Sequence, residues 1–149
     1  MKTNKKGFTL IELLAVIVIL AIIALITVPV VIKIIDNAKR GAAEDSTYGV
    51  LKSAQYYWAL KNNDLSVANN EVTFTCNSSG VCSGTVQKST TGTDGTITTT
   101  DETVTLDLEG TKPSAGTIKI KNGKYTITGL KFGDYTCSKA EDATKVTCQ

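Results

Sequence analysis

Leu13-Leu14-Ala15-Val16-Ile17-Val18-Ile19-Leu20-Ala21-Ile22-Ile23-Ala24-Leu25-Ile26-Thr27-Val28-Pro29-Val30-Val31-Ile32 is a run of 20 residues without a charge. A helix of that length rises roughly 30 Å, the hydrocarbon thickness of a bilayer. A soluble core helix keeps a polar face, and this run has none. Ile and Val slightly disfavour helix in water. In lipid that preference loses, because each backbone N–H must find a partner within its own segment. Pro29 lacks an N–H and crowds the carbonyl of Leu25, so a kink is expected there.

The pattern changes after Lys33. Val31, Ile34, Ile35, Ala38, Ala42, Val50, Leu51, Ala54, Tyr57 and Trp58 recur at spacings near three, four or seven, and charged residues fall mostly between them. That is an amphipathic continuation of the same helix, ending near Lys61-Asn62-Asn63-Asp64. The stripe from Ile34 to Trp58 is the expected cover for a sheet. Gly41 and Gly49 would each weaken the helix by about 1 kcal/mol relative to Ala. They read as bend points or close-packing points.

From Asp64 onward, 19 of 86 residues are Thr and the period becomes two. Val104, Leu106 and Leu108 alternate with polar residues, as do Ile118 with Ile120 and Tyr125 with Ile127, which predicts half-buried strands. Lys121-Asn122-Gly123-Lys124 predicts a two-residue hairpin, since Asn-Gly suits the positive φ angles of a type I′ turn. That loop sets Ile120 opposite Tyr125 and Ile118 opposite Ile127, all on one face. Val72 to Cys76, Cys82 to Val86 and Ile97 to Thr100 predict shorter strands, and Gln87 to Gly95 an exposed loop. The expected fold class is α+β, a long N-terminal helix packed on a small antiparallel sheet.

Composition excludes several functions. The chain has 149 residues, 16 Lys and Arg against 14 Asp and Glu, four Cys and no His. Without His there is no Ser-His, Cys-His or Zn-His chemistry. The net charge of +2 is no footprint of a dedicated nucleic-acid binder. Without the first seven residues, 13 basic side chains face 14 acidic ones, a net of −1. No catalytic group, metal or cofactor is evident, so an enzyme is the weakest class.

The amino-terminal segment is no ordinary secretory signal. Its apolar core is too long, and Ile32-Lys33-Ile34-Ile35-Asp36 offers no small-residue cleavage site. Glu12 sits inside the apolar block, where a charge costs several kcal/mol by insertion scales. One reading is that Glu12 is merely tolerated at the membrane interface.

The other follows from a resemblance. Lys5-Lys6-Gly7-Phe8-Thr9-Leu10-Ile11-Glu12, followed by Leu13 and the apolar helix with Pro29, resembles the N-terminal signature of type IV pilins and pseudopilins. It spans roughly the first 60 residues, and the strand-rich part is similar only in type. The resemblance implies cleavage between Gly7 and Phe8 by a prepilin peptidase and N-methylation of Phe8. It also implies that Glu12 acts in assembly of a helical filament of identical subunits. An assembly ATPase and a membrane platform protein are implied as partners. The chain would be a single-pass membrane protein in lipid before assembly, then part of an extracellular filament. Its parts would be 1–7 leader, 8–32 transmembrane and filament-core helix, 33–63 amphipathic helix, and 64–149 extracytoplasmic β domain.

Lysines flank both ends of the span, so the positive-inside count is a tie. Cys76, Cys82, Cys137 and Cys148 all lie in the β domain at spacings unlike a zinc or redox motif. Disulfides in an oxidising, extracytoplasmic compartment are the preferred reading. Pairing Cys76–Cys82 and Cys137–Cys148 closes two local loops. A crossed pairing and four free thiols are the alternatives.

Asn77-Ser78-Ser79 matches a glycosylation acceptor but reads as a turn. Tyr56-Tyr57-Trp58 reads as core. Lys112, Lys119, Lys121, Lys124 and Lys131 read as a solvated strand face, with DNA contact unsupported. Asp101, Glu102, Asp107 and Glu109 form no recognisable acid–base pair. Beside the filament subunit stand a pseudopilin of a type II secretion or competence system and a monomeric, membrane-anchored binding module.

Overall fold

The computed structural model describes residues 7–61, 71–91 and 93–149. Among the described residues the fold is α+β: one long helix and one antiparallel sheet of seven strands. Helix α1 is Leu10–Lys61 and runs without interruption through Pro29. The strands are β1 Glu71–Cys76, β2 Cys82–Thr91, β3 Ile97–Thr105, β4 Gly116–Lys121, β5 Lys124–Phe132, β6 Tyr135–Lys139 and β7 Thr147–Cys148. Their order across the sheet is β3-β2-β1-β4-β5-β6-β7. The expected leader residues before Gly7 and the expected helix end at 62–64 lie outside the described residues.

The chain divides into two units between Lys39 and Arg40. In the second unit one face of the sheet is apolar. Phe74 on β1 lies opposite Gly84 on β2 and Ile118 on β4, and Val72 lies opposite Ile120. Helix residues Ala43, Thr47, Val50, Leu51 and Ala54 are buried, at spacings of three and four that put them on one face. Tyr57 meets Phe74 edge to face, with ring centroids 5.1 Å apart. The Val146 N–H donates to the Tyr48 hydroxyl at 3.1 Å, tying the helix to the last loop.

The buried helix face starts later than the periodicity suggested. Ile34, Ile35, Ala38 and Ala42 are exposed, and Ala43 is the first buried side chain. Thr47, not singled out in the sequence, is fully buried because its hydroxyl donates to the Ala43 carbonyl at 2.8 Å. A methyl group added at Gly41 or Gly49 would meet open space, so neither glycine is a close-packing point.

The Asn122-Gly123 hairpin has the expected register, with Ile118 opposite Ile127 and Ile120 opposite Tyr125. Asn122 has φ 50° and Gly123 φ 75°, as a type I′ turn requires. Alternation then breaks in β5, where Ile127 and Leu130, three apart, are both buried. A bulge absorbs the extra residue: Ile127 faces Lys139 while Leu130 faces Cys137. Gly129 sits in it at φ 63°, and its carbonyl lies 2.6 Å from where a Gly116 side chain would begin. Only glycine fits at 116.

Two expectations fail. Gln87 to Thr91 is not loop but the second half of β2, paired with β3 out to Thr91–Ile97. Leu106 and Leu108 are buried but lie outside any strand. They belong to the connection that carries the chain from edge strand β3 back to β4, beside β1. Their alternation reflects packing of an irregular segment on the core. The Asn77 turn is present, with the Asn77 side-chain oxygen accepting from Ser79 and Val81 N–H.

Disulfides join Cys76 to Cys82 and Cys137 to Cys148. Each links residues directly opposite one another on neighbouring strands. The first closes the β1–β2 hairpin, and the second holds the two-residue β7 on the sheet.

Candidate functional site

The amino end of α1 is where charge and apolar surface meet. Gly7, Phe8 and Thr9 precede the helix, which begins at Leu10. Thr9 is its N-cap, since the Leu13 N–H donates to the Thr9 carbonyl at 3.2 Å, the first helical bond. Glu12 turns back toward that cap. Its Oε2 accepts from the Thr9 backbone N–H at 2.8 Å and from the Thr9 hydroxyl at 2.7 Å. The Thr9 Oγ1 in turn accepts from the Glu12 N–H at 3.4 Å.

This is a capping box, Thr-x-x-Glu, in which side chains satisfy donors that the first helical turn leaves unpaired. The four-residue pattern, Thr9-x-x-Glu12 before an apolar run, is legible in the sequence. The box gives the carboxylate local partners within a segment of apolar residues. The positive end of the helix dipole also favours an anion there. Only Oε2 is engaged by the described residues.

From Leu10 to Ile32 every described side chain is exposed, including Leu13, Ile17, Leu20, Ile23 and Ile32. The helix is long and apolar enough to cross a membrane. A contiguous apolar surface of this extent needs lipid or other protein to cover it.

The second unit offers less chemistry. A groove of about 530 Å³ lies between the helix at Lys52, Tyr56 and Leu60 and the connection at Leu106, Asp107 and Glu109. Among the described residues the Tyr57 hydroxyl has no hydrogen-bond partner. Burial, and then the charge of Glu102, push its pKa up, so it stays protonated. Of the expected aromatic core, Tyr57 and Trp58 pack on the buried cluster while Tyr56 stands exposed.

The lysine cluster is partly neutralised. Lys119 and Lys121 both reach Glu71, the first at 2.5 Å, and Lys124 reaches Glu141 at 3.0 Å and Asp142 at 3.5 Å. The hydrogen bond donated by Lys119 holds the Glu71 carboxyl below its ordinary range, and donating to the Glu141 carboxylate raises the Lys124 ammonium above its own. Asp101 and Glu102 stand on β3, apart from Asp107 and Glu109 in the connection that follows. Among the described residues no cluster of carboxylates and thiols is placed to hold a metal ion.

Residues 2–28 match the family model of the prokaryotic N-terminal methylation motif. No curated protein and no solved structure matches the chain. The match ends inside the apolar helix, and the sheet lies beyond it. That motif is the type IV pilin and pseudopilin signature. It supports reading the chain as a pilin-like or pseudopilin subunit.

Proposed function

We propose that this chain is the structural subunit of a type IV pilus-like filament. The observation that carries the proposal is a carboxylate, Glu12, in the first turn of a helix whose Leu10–Ile32 stretch is apolar and exposed, within the methylation motif. In this reading a prepilin peptidase cuts between Gly7 and Phe8, removing leader residues 1–7. The new amino group of Phe8 is then N-methylated. It remains a cation near neutral pH.

Glu12 of one subunit then pairs with the Phe8 ammonium of a neighbour. Each charge would be costly alone in an apolar core, and breaking such a pair costs about 3–5 kcal/mol. The pair works as a register device more than as net stabilisation. Thr9 complements it, because the capping box satisfies the carboxylate while the subunit waits in lipid.

Moving residues 8–32 from lipid to a helical core hides little new surface from water, so packing and the charge pair supply the selectivity. Extraction from the bilayer then needs outside work, from an assembly ATPase acting through a membrane platform protein. The domain from 64 to 149 would form the filament surface, outside the cell. A pseudopilin of a type II secretion or competence system would use the same amino-terminal device.

The test is the mass and N-terminal sequence of the protein taken from cells, followed by electron microscopy of sheared surface material. A start at methylated Phe8 and filaments built of this chain are expected. An intact Met1 and a solitary species would leave a membrane-anchored monomer as the function.

A further inference from the structure

The sheet has two edges, and they are built in opposite ways. β7 is two residues long and fixed by the Cys137–Cys148 bond, too short to template another strand. β3 is nine residues long, Ile97–Thr105, and pairs with β2 over its whole length without a bulge. It contains no Pro, Lys or Arg. Every side chain except Val104 is exposed. Of the devices that blunt a sheet edge, β3 carries only the two carboxylates Asp101 and Glu102. Moreover, β1 pairs with β2 only as far as Gly84. Gln87–Thr91 and Ile97–Asp101 thus pair only with each other among the described residues. A two-stranded ribbon is marginal in water.

The direction of the backbone groups follows from one bond. The Leu106 N–H donates to the Cys82 carbonyl. In an antiparallel strand the N–H and C=O of one residue point to the same side, and successive residues alternate. Leu106, Val104, Glu102, Thr100 and Thr98 therefore address β2. Ile97, Thr99, Asp101, Thr103 and Thr105 turn their N–H and C=O outward.

We propose that β3 is a self-association edge, which pairs antiparallel with β3 of a second copy of this chain and makes one sheet through both β domains. The occupant follows from the geometry. A β3 edge cannot dock on the β7 edge of another copy, since two residues cannot match nine. Of the two sheet edges among the described residues, the one that matches it in length is β3 itself, which makes the joint two-fold and isologous.

Charge and overlap together select the register, since joints centred on Thr99 or Thr103 also keep like charges apart but pair fewer residues. Centred on Asp101, the joint would set the two Asp101 carboxylates directly opposite, which is destabilising. Centred on Thr100, it pairs Ile97 with Thr103 and Thr99 with Asp101 at the outward positions, and no like charges face each other. The inference goes beyond the filament reading and does not depend on it. Subunits of one polar filament are related by a screw axis, so a two-fold joint would link copies in different filaments or copies still in the membrane.

The Thr100-centred register sets the two Thr100 residues opposite each other as a non-hydrogen-bonded pair, with Cα atoms about 4.5 Å apart, within disulfide reach. The native protein has no free cysteine. The test is oxidative cross-linking of the full-length chain in detergent, with single cysteines at Thr98, Thr100 and Asp101. A covalent dimer is expected for Thr100→Cys above the other two. Adding Thr99→Pro removes an outward N–H and no β2 ladder bond, and should lower the yield about tenfold. Thr99→Lys with Thr103→Lys is the second blocking variant, should the proline variant unfold. Asp101→Asn should raise the yield of the Thr100→Cys dimer, because in this register the two Asp101 side chains lie diagonally across the joint.

Equal yields at the three positions, or a Thr100→Cys dimer untouched by both blocking variants, would overturn the proposal, as would a dominant Asp101→Cys dimer. Repeating the experiment with Glu12→Ala separates it from helix-driven assembly, since the edge joint should survive that change.

Discussion

The two stretches of helix α1 share one backbone but not one source of order. Between Leu10 and Ile32 every described side chain is exposed, whereas Ala43, Thr47, Val50, Leu51 and Ala54 are buried. The later stretch finds its apolar environment within its own chain, against Phe74, Ile118 and Leu130. The earlier stretch must find it in lipid or in other copies. The difference is also one of residue size. The apolar stretch is built of Leu, Ile and Val, which make a wide surface, while the buried face leads with Ala43 and Thr47, which allow close approach to a sheet. One stretch is fitted to intramolecular packing, and the other to a surrounding medium.

Substitutions should divide along the same line. The largest effect is expected from Phe74→Ala, which empties the fully buried ring site beneath Tyr57. A loss of about 3–5 kcal/mol in β-domain stability is expected by urea unfolding. Membrane insertion should not change. Leu20→Ala, in the apolar stretch, should leave the urea midpoint where it is.

Next in size is the second disulfide. Cys137→Ser with Cys148→Ser frees the edge strand β7 and should cost about 2–4 kcal/mol, read as a lower urea midpoint. Gly49→Ala should act in the opposite direction. The added methyl meets open space in a continuous helix, so a gain of about 0.5–1 kcal/mol is expected.

The smallest effect is electrostatic. The Glu71 carboxyl is held below its ordinary pKa chiefly by Lys119. A depressed folded-state pKa gives stability that is present above the unfolded value, near 4.3 for Glu. It is lost as the pH falls through the folded value. Wild type should therefore lose slightly more stability between pH 6 and pH 3 than Glu71→Gln, measured by urea midpoints. Both groups are partly exposed, so the difference should shrink in high salt.

The features legible in the sequence were those encoded locally. The Asn122-Gly123 turn fixes its own φ angles and, through loop length, the partners of Ile118 and Ile120. The 20-residue apolar run needs no context to be read. What stayed hidden depends on distant partners. β2 continues past Val86 because β3 pairs with it, and Gln87-Lys88-Ser89-Thr90-Thr91 carries no apolar alternation to reveal this. Tyr135–Lys139 and Thr147–Cys148 are strands through pairing with β5 and through one disulfide, not through pattern. At the candidate site the Gly7 to Leu13 motif was plain. The Thr9–Glu12 capping box is equally local, carried by Thr-x-x-Glu at the head of an apolar run.

The central claim is that Glu12 serves a neighbouring copy and not only its own first turn. Glu12→Ala, expressed in cells and compared with wild type for membrane level and filament yield, tests it most directly. The account predicts unchanged insertion and an unchanged urea midpoint for the β domain, with filaments reduced to traces. Filaments at the wild-type yield, built from the Glu12→Ala chain, would contradict it.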